Sequence, residues 1–102
     1  MPDPIQISIV SPTYNECENV APLAEEIFGI LGECDDIDAE LIIVDDNSPD
    51  GTGAAAEALR ERFPVQVIHR AGKLGLGSAV MAGWNLSTRP HLGVIDADLS
   101  HD

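Results

Sequence analysis

Leu41-Ile42-Ile43-Val44 is an unbroken aliphatic run that ends abruptly in Asp45-Asp46-Asn47-Ser48. A strand with one wet face alternates apolar and polar residues, whereas this one offers nothing to water. It needs cover on both faces, the condition of a parallel strand sandwiched between helices. The acidic residues after it mark its carboxyl end as polar. Helices must therefore flank the run, and other strands must lie beside it.

The flanking segments meet that demand. Ile5-Gln6-Ile7-Ser8-Ile9-Val10 predicts a first strand, which Pro12 is expected to end, opening the loop Pro12-Thr13-Tyr14-Asn15-Glu16. From Asn19, a candidate N-cap, the residues Val20, Leu23, Ala24, Ile27, Ile30 and Leu31 fall on one helical face. Pro22 is tolerated in the first turn, and Gly32 with Asp35-Asp36 closes the helix. Pro49-Asp50-Gly51-Thr52 reads as a turn whose Thr52 caps a helix from about Gly53 to Arg62. Ala54, Ala55, Ala58 and Leu59 would be its small packing face. Val65-Gln66-Val67-Ile68 is a third strand, Ala71 to Gly77 a glycine-rich loop, about Ser78 to Leu86 a third helix, and His91 to Ile95 a fourth strand. The order β-α-β-α-β-α-β with short links specifies an α/β fold with a Rossmann-like, doubly wound, mostly parallel sheet. Such sheets take ligands at the carboxyl ends of their strands, where the strand order reverses. The loops after strands one, two and four carry the polar residues, so the chemistry gathers at that edge.

The chain reads as one unit over residues 1–102, with 44% hydrophobic residues to build a single core. No apolar run approaches the roughly 20 residues that span a bilayer, and Met1-Pro2-Asp3 does not open a signal peptide, so a cytoplasmic address is expected. Cys17 and Cys34 lack zinc-site spacing and read as inert packing thiols. Eighteen acidic against five basic residues give a net charge of −13, which disfavours nucleic acid or anionic lipid on this segment. The bland reading of that charge is a salt-adapted or very soluble surface. An anionic ligand would need a cation or helix N-termini as intermediaries.

Val94-Ile95-Asp96-Ala97-Asp98-Leu99-Ser100-His101 supplies such a cation site. In an extended chain Asp96 and Asp98 point to one side, and paired carboxylates at a strand end suit Mg²⁺ or Mn²⁺. A plain surface turn is the alternative. Asp45 or Asp46 can accept from a ribose or brace the following turn. Tyr14 can lie against a base and Glu16 can accept from its N–H groups, although a loop tyrosine is more often packing. Lys73 or Arg70, beside the flexible Gly72–Gly77 loop, can pair with a phosphate. His69 and His91 read as solvated strand tips, and His101 as a loop residue beside the carboxylates. A Walker A loop fails because Leu74 follows Gly72-Lys73. A dinucleotide fingerprint fails because Val80 replaces its third glycine and the first β-α turn is Pro12–Glu16, leaving an NAD-binding Rossmann domain as a distant competitor.

Four motifs appear in order: Ser11–Glu16, Val44–Thr52, Lys73–Ala79 and Asp96–His101. Together they resemble the dolichol-phosphate (polyprenol-phosphate) mannosyltransferases, inverting nucleotide-sugar glycosyltransferases of the GT-A fold. The resemblance implies a hexosyltransferase moving a sugar, first of all mannose from GDP-mannose and next glucose from UDP-glucose, onto a polyprenyl or dolichyl phosphate. It implies that Pro12, Tyr14, Glu16, Val44, Asp46, Ala97 and Lys73 serve the nucleotide. Asp96 and Asp98 would form the DxD-type catalytic and metal site for Mg²⁺ or Mn²⁺. Some relatives carry a glutamine at the position of Ser100, whose hydroxyl is a shorter, weaker metal ligand. The family's catalytic domain runs on for about another hundred residues, in keeping with ordinary domain size. The chain is thus expected to be the N-terminal, donor-binding part, with little turnover of its own. Membrane contact would belong to the C-terminal part of the enzyme. A nucleotide-sugar or metal-binding module without catalysis is the non-enzymatic alternative.

Overall fold

The computed structural model describes residues 4–71 and 76–95. In chain order these form β1 (Ile5–Thr13), α1 (Val20–Leu31), β2 (Ile37–Asp45), α2 (Thr52–Ala58), a 3₁₀ turn (Leu59–Glu61), β3 (Val65–His69), α3 (Leu76–Leu86) and β4 (His91–Val94). The strands pair in parallel in the order β3-β2-β1-β4. The chain steps outward from β1 to β2 to β3, then returns across the sheet to lay β4 against β1. The order reverses between β1 and β4, where a doubly wound sheet opens a crevice at its carboxyl edge.

The central run behaves as its composition demands. Leu41, Ile42, Ile43 and Val44 are all 0% exposed. Leu41 and Ile43 face Val20, Leu23, Ala24 and Ile27 of α1 together with Ala56 and Leu59. Ile42 and Val44 turn to the other face, where Val10 and Ala79 of α3 meet them. Fully burying each such aliphatic side chain contributes about 1.5–3 kcal/mol relative to exposure, so β2 anchors both layers.

Several local expectations are corrected. Pro12 does not end β1, which runs to Thr13 with Pro12 paired to Val44. The Val10 carbonyl faces β4, accepting from the Ile95 N–H at 3.0 Å, whereas the Thr13 carbonyl faces β2, accepting from the Asp46 N–H at 3.2 Å. Alternation therefore turns the missing N–H of Pro12 toward the β4 side, beyond the last rung of that ladder, where no bond is lost. Asn19 precedes α1 without a side-chain cap. Its amide donates instead to Glu16 Oε2 at 2.6 Å. Ile30 is 60% exposed, off the packed face. Gly51 occupies the N-cap of α2 with φ 91°, and Thr52 is the first helical residue. The helix gives way to the 3₁₀ turn at Leu59, and Gly53 and Ala56, not Ala54 and Ala58, form its buried face. Gly53 leaves room there for its neighbours, since a Cβ would stand 3.0 Å from His69 Nδ1 and 3.1 Å from Asp45 Oδ2. β2 also begins earlier than the aliphatic run, because Ile37 to Glu40 extend the ladder with Ile5 to Ser8.

At the opposite, amino end of the strands a polar cluster sits on the α3 face. Glu40, 8% exposed, accepts from Ser8 Oγ at 2.6 Å and from Gln66 Nε2 at 2.7 Å. Arg89 Nε lies 3.3 Å from Glu40 Oε2 and ties the segment before β4 to β2. A nearly buried carboxylate is tolerated only with such a full set of donors.

Candidate functional site

The carboxyl ends of β1, β2 and β3 bring Pro12, Tyr14, Glu16, Val44 and Asp46 to one edge, joined there by Arg70 and the start of α3. Tyr14 is 40% exposed, whereas the Val44 side chain is sealed in the core. Pro12 and Glu16 are half-buried. Lys73, Asp96, Ala97, Asp98, Ser100 and His101 lie outside the described residues. Ile95 is the last described residue, and its N–H donates to the Val10 carbonyl at 3.0 Å. Ile95, the residue before Asp96 in sequence, therefore lies beside the end of β1, at the point where the strand order reverses.

Within this edge the two adjacent aspartates have separate tasks. Asp45, 3% exposed, takes Thr13 Oγ1 at 3.2 Å, the Ser48 N–H at 3.2 Å and the Ser48 hydroxyl. It braces the turn. Asp46 forms a two-pronged pair with Arg70, Nε to Oδ1 at 2.6 Å and Nη2 to Oδ2 at 2.9 Å. The side chains are 10% and 8% exposed, so the pair is largely withdrawn from water. Arg70 Nη1 also donates to Ser78 Oγ at 2.7 Å, reaching the first turn of α3. The Asp46 hydrogen bonds, and then its charge, hold the guanidinium pKa above its ordinary value. Arg70 thus enters the site already bound to Asp46, as one planar, charge-compensated unit.

The loop after β2 also clasps the loop after β1. Amides of residues 15, 16 and 17 donate to Ser48 Oγ, Thr52 Oγ1 and Asp50 Oδ2 at 3.0, 2.9 and 3.1 Å. Asn15 and Asn47, with φ of 56° and 54°, are the only non-glycine residues with positive φ among those described, one in each loop. Asparagine is the residue that tolerates that region best after glycine. Asp50 is held below its ordinary 3.8, chiefly by the Thr52 hydroxyl, with the amides of Cys17 and Thr52 adding to it. Sequence reasoning missed this clasp and the Asp46–Arg70 pair. The signal for the first was the density of Asx- and Ser/Thr-turn formers in residues 45–52. The second spans 24 positions and becomes local only because Asp45 pairs with His69.

What the edge offers chemically is an exposed aromatic ring, a carboxylate on Glu16 steadied by Asn19, and an oriented ion pair. Among the described residues no three His, Cys, Asp or Glu side chains converge as a metal cage.

The Glycosyl transferase family 2 model matches residues 8–102. The chain is 39% identical over 97 residues to a dolichol-phosphate mannosyltransferase of Pyrococcus furiosus, covering 95% of this chain and 27% of that one. It is 40% identical over 98 residues to a polyprenol monophosphomannose synthase of Mycolicibacterium smegmatis, covering 91% and 35%. Among solved structures, the mannosyltransferase PcManGT of Pyrobaculum calidifontis, in complex with GDP-Man and Mn²⁺, superposes with a TM-score of 0.72 at 26% identity, over 96% of this chain and 30% of that one. Mannosyl-3-phosphoglycerate synthase of Rubrobacter xylanophilus, at 24% identity, shares the fold with a TM-score of 0.77 over 92% of this chain and 31% of that one. The chain thus spans about a third of the length of the proteins it matches. The fold of these neighbours is GT-A, and the described sheet is part of it. Residue for residue over almost its whole length, this chain belongs to Glycosyl transferase family 2.

Proposed function

We propose that the chain is the donor-binding part of a polyprenol-phosphate mannosyltransferase. The enzyme would transfer mannose from GDP-mannose to a polyprenyl or dolichyl phosphate, with inversion at the sugar carbon, at the cytoplasmic face of a membrane. The observation that carries this reading is the meeting of three polar segments where the strand order reverses. These are the loop bearing Tyr14 and Glu16, the loop bearing Asp46, and β4 leading into Asp96-Ala97-Asp98. The relatives named for this activity and the neighbour holding GDP-Man and Mn²⁺ support it.

Asp96, Asp98 and Ser100 form an all-oxygen, hard donor set, which fits Mg²⁺ or Mn²⁺. Asp96 and Asp98 would hold the ion, with Ser100 as the weaker third oxygen, and the ion would neutralise the diphosphate leaving group. It thereby lets a chain of net charge −13 receive an anionic donor. The chain's own residues do the rest. Tyr14 offers its ring to the base, Glu16 accepts from base N–H groups, and Pro12 walls the pocket, while Val44, its side chain sealed in the core, can add only its backbone. Asp46, oriented by Arg70, faces the ribose, while Ala97 and Lys73 serve the sugar-phosphate side. A lipid phosphate is already ionised near neutral pH, so the acceptor requires no dedicated general base.

A thermal-shift panel of GDP-mannose, UDP-glucose and NADH, each with and without Mn²⁺, tests the reading on the chain itself. The largest stabilisation is expected from GDP-mannose with Mn²⁺. A larger metal-dependent shift with UDP-glucose would replace the donor, and one with NADH would overturn the proposal.

A further inference from the structure

Three successive backbone amides of one loop are taken by three side chains of its neighbour. The N–H groups of Asn15, Glu16 and Cys17 donate to Ser48 Oγ, Thr52 Oγ1 and Asp50 Oδ2 at 3.0, 2.9 and 3.1 Å. Each hydroxyl in this set is in turn a donor to a carboxylate: Ser48 Oγ to Asp45, and Thr52 Oγ1 to Asp50. Asp50 Oδ1, which takes the Thr52 hydroxyl, also receives the Thr52 N–H at 3.0 Å, leaving Oδ2 for the Cys17 amide. Because each hydroxyl proton is committed to an acid, its oxygen can only accept from the amide above it. The bond directions are fixed, and Thr52 is 0% exposed, so water does not compete there.

The clasped residues are the ones that place Tyr14 and Glu16. Asn15 between them is held at φ 56°, a conformation that a free loop seldom keeps. An unclasped loop would have to be ordered each time a ligand arrived, and affinity would fall by that entropy. We infer that Ser48, Asp50 and Thr52 are positioning residues that set nucleotide affinity through Tyr14 and Glu16 without touching the nucleotide. This inference rests on the donor-binding reading above.

Thr52→Val keeps the side-chain shape and removes both the acceptor and the donor, whereas Thr52→Ser keeps them. Two readouts are needed: calorimetric affinity for GDP-mannose with Mn²⁺, and site-resolved amide exchange. Thr52→Val is expected to weaken binding about tenfold, the equivalent of about 1.4 kcal/mol, and to speed exchange at residues 15–17 ahead of the strands. Thr52→Ser is expected to restore both. Ser48→Ala, at a half-buried position, repeats the test if Thr52→Val does not fold. Unchanged exchange at 15–17, or faster exchange with undiminished affinity, would overturn the inference. Should the parent chain take up no nucleotide at all, the donor-binding reading and the affinity part fall together. The clasp itself is then still decided by exchange at residues 15–17.

Discussion

Gly83 lets α3 lie directly against Val10 of β1, and its replacement by alanine tests how the layers are held. A Cβ at this position would stand 2.6 and 2.7 Å from the two γ-methyls of Val10 and 3.2 Å from its Cβ. Carbon atoms prefer about 3.5–4.0 Å, so helix and strand must part by about 1 Å. Val10 cannot yield, being 0% exposed and packed with Ile42, Val44 and Ala79. Overpacking of this kind costs about 1–3 kcal/mol, and the better helix propensity of alanine returns about 0.8–1 kcal/mol. A net loss of between about 0 and 2 kcal/mol is predicted for Gly83→Ala. Urea unfolding followed by the fluorescence of Trp84, the chain's single tryptophan and part of the same cluster, measures it. Val10→Ala should relieve the clash, so the double variant should be more stable than the sum of the single losses by about 1 kcal/mol or more. A Gly83→Ala protein more stable than the parent, or strictly additive losses in the double variant, would refute the close-approach reasoning.

Other perturbations test the remaining contacts. Arg70→Ala strips the two-pronged partner from a carboxylate that is 8% exposed and should cost about 2–3 kcal/mol in urea unfolding, with Arg70→Lys recovering only part because it cannot bind both oxygens. Glu40→Ala takes the acceptor from the Gln66 amide and the carboxylate from Arg89, leaving the Ser8 hydroxyl only Ser87, and should cost about 2–4 kcal/mol by the same measurement. Asp50, depressed chiefly by the Thr52 hydroxyl, contributes above its unfolded pKa, and the contribution is lost as pH falls through its folded value. Protection of the Cys17 amide should therefore persist through mild acid and vanish only below pH 3.8, as amide exchange or NMR titration would show.

The architecture was legible because its strongest signal was a burial signal. Leu41 to Val44 has the length and branching of a strand covered on both faces, and the parallel order came from the helices placed around it. Local stops were harder to read, because they depend on which neighbour a residue faces. Pro12 looks like a terminator in one dimension, yet its missing N–H falls where β4 has already ended. Asn19 and Thr52 have cap chemistry, but Glu16 takes the Asn19 amide within its own loop, and Asp50 with the Glu16 N–H draws the Thr52 hydroxyl into the loop clasp. Ile30 fits the helical period and still stays wet, because Phe28 and Leu31 on either side of it are the residues that turn onto the core. The site was legible as a set of loops at one edge. Its internal wiring was not, since the Asp46–Arg70 pair and the three amide bonds join positions brought near only by the parallel register of β1, β2 and β3.

The central claim is metal-dependent donor binding at this edge, and calorimetric titration of the chain with GDP-mannose tests it most directly. Saturable one-to-one binding is predicted with Mn²⁺, with the signal lost on chelation and in Asp98→Ala. Affinity unchanged in Asp98→Ala, or equal with and without Mn²⁺, would contradict it.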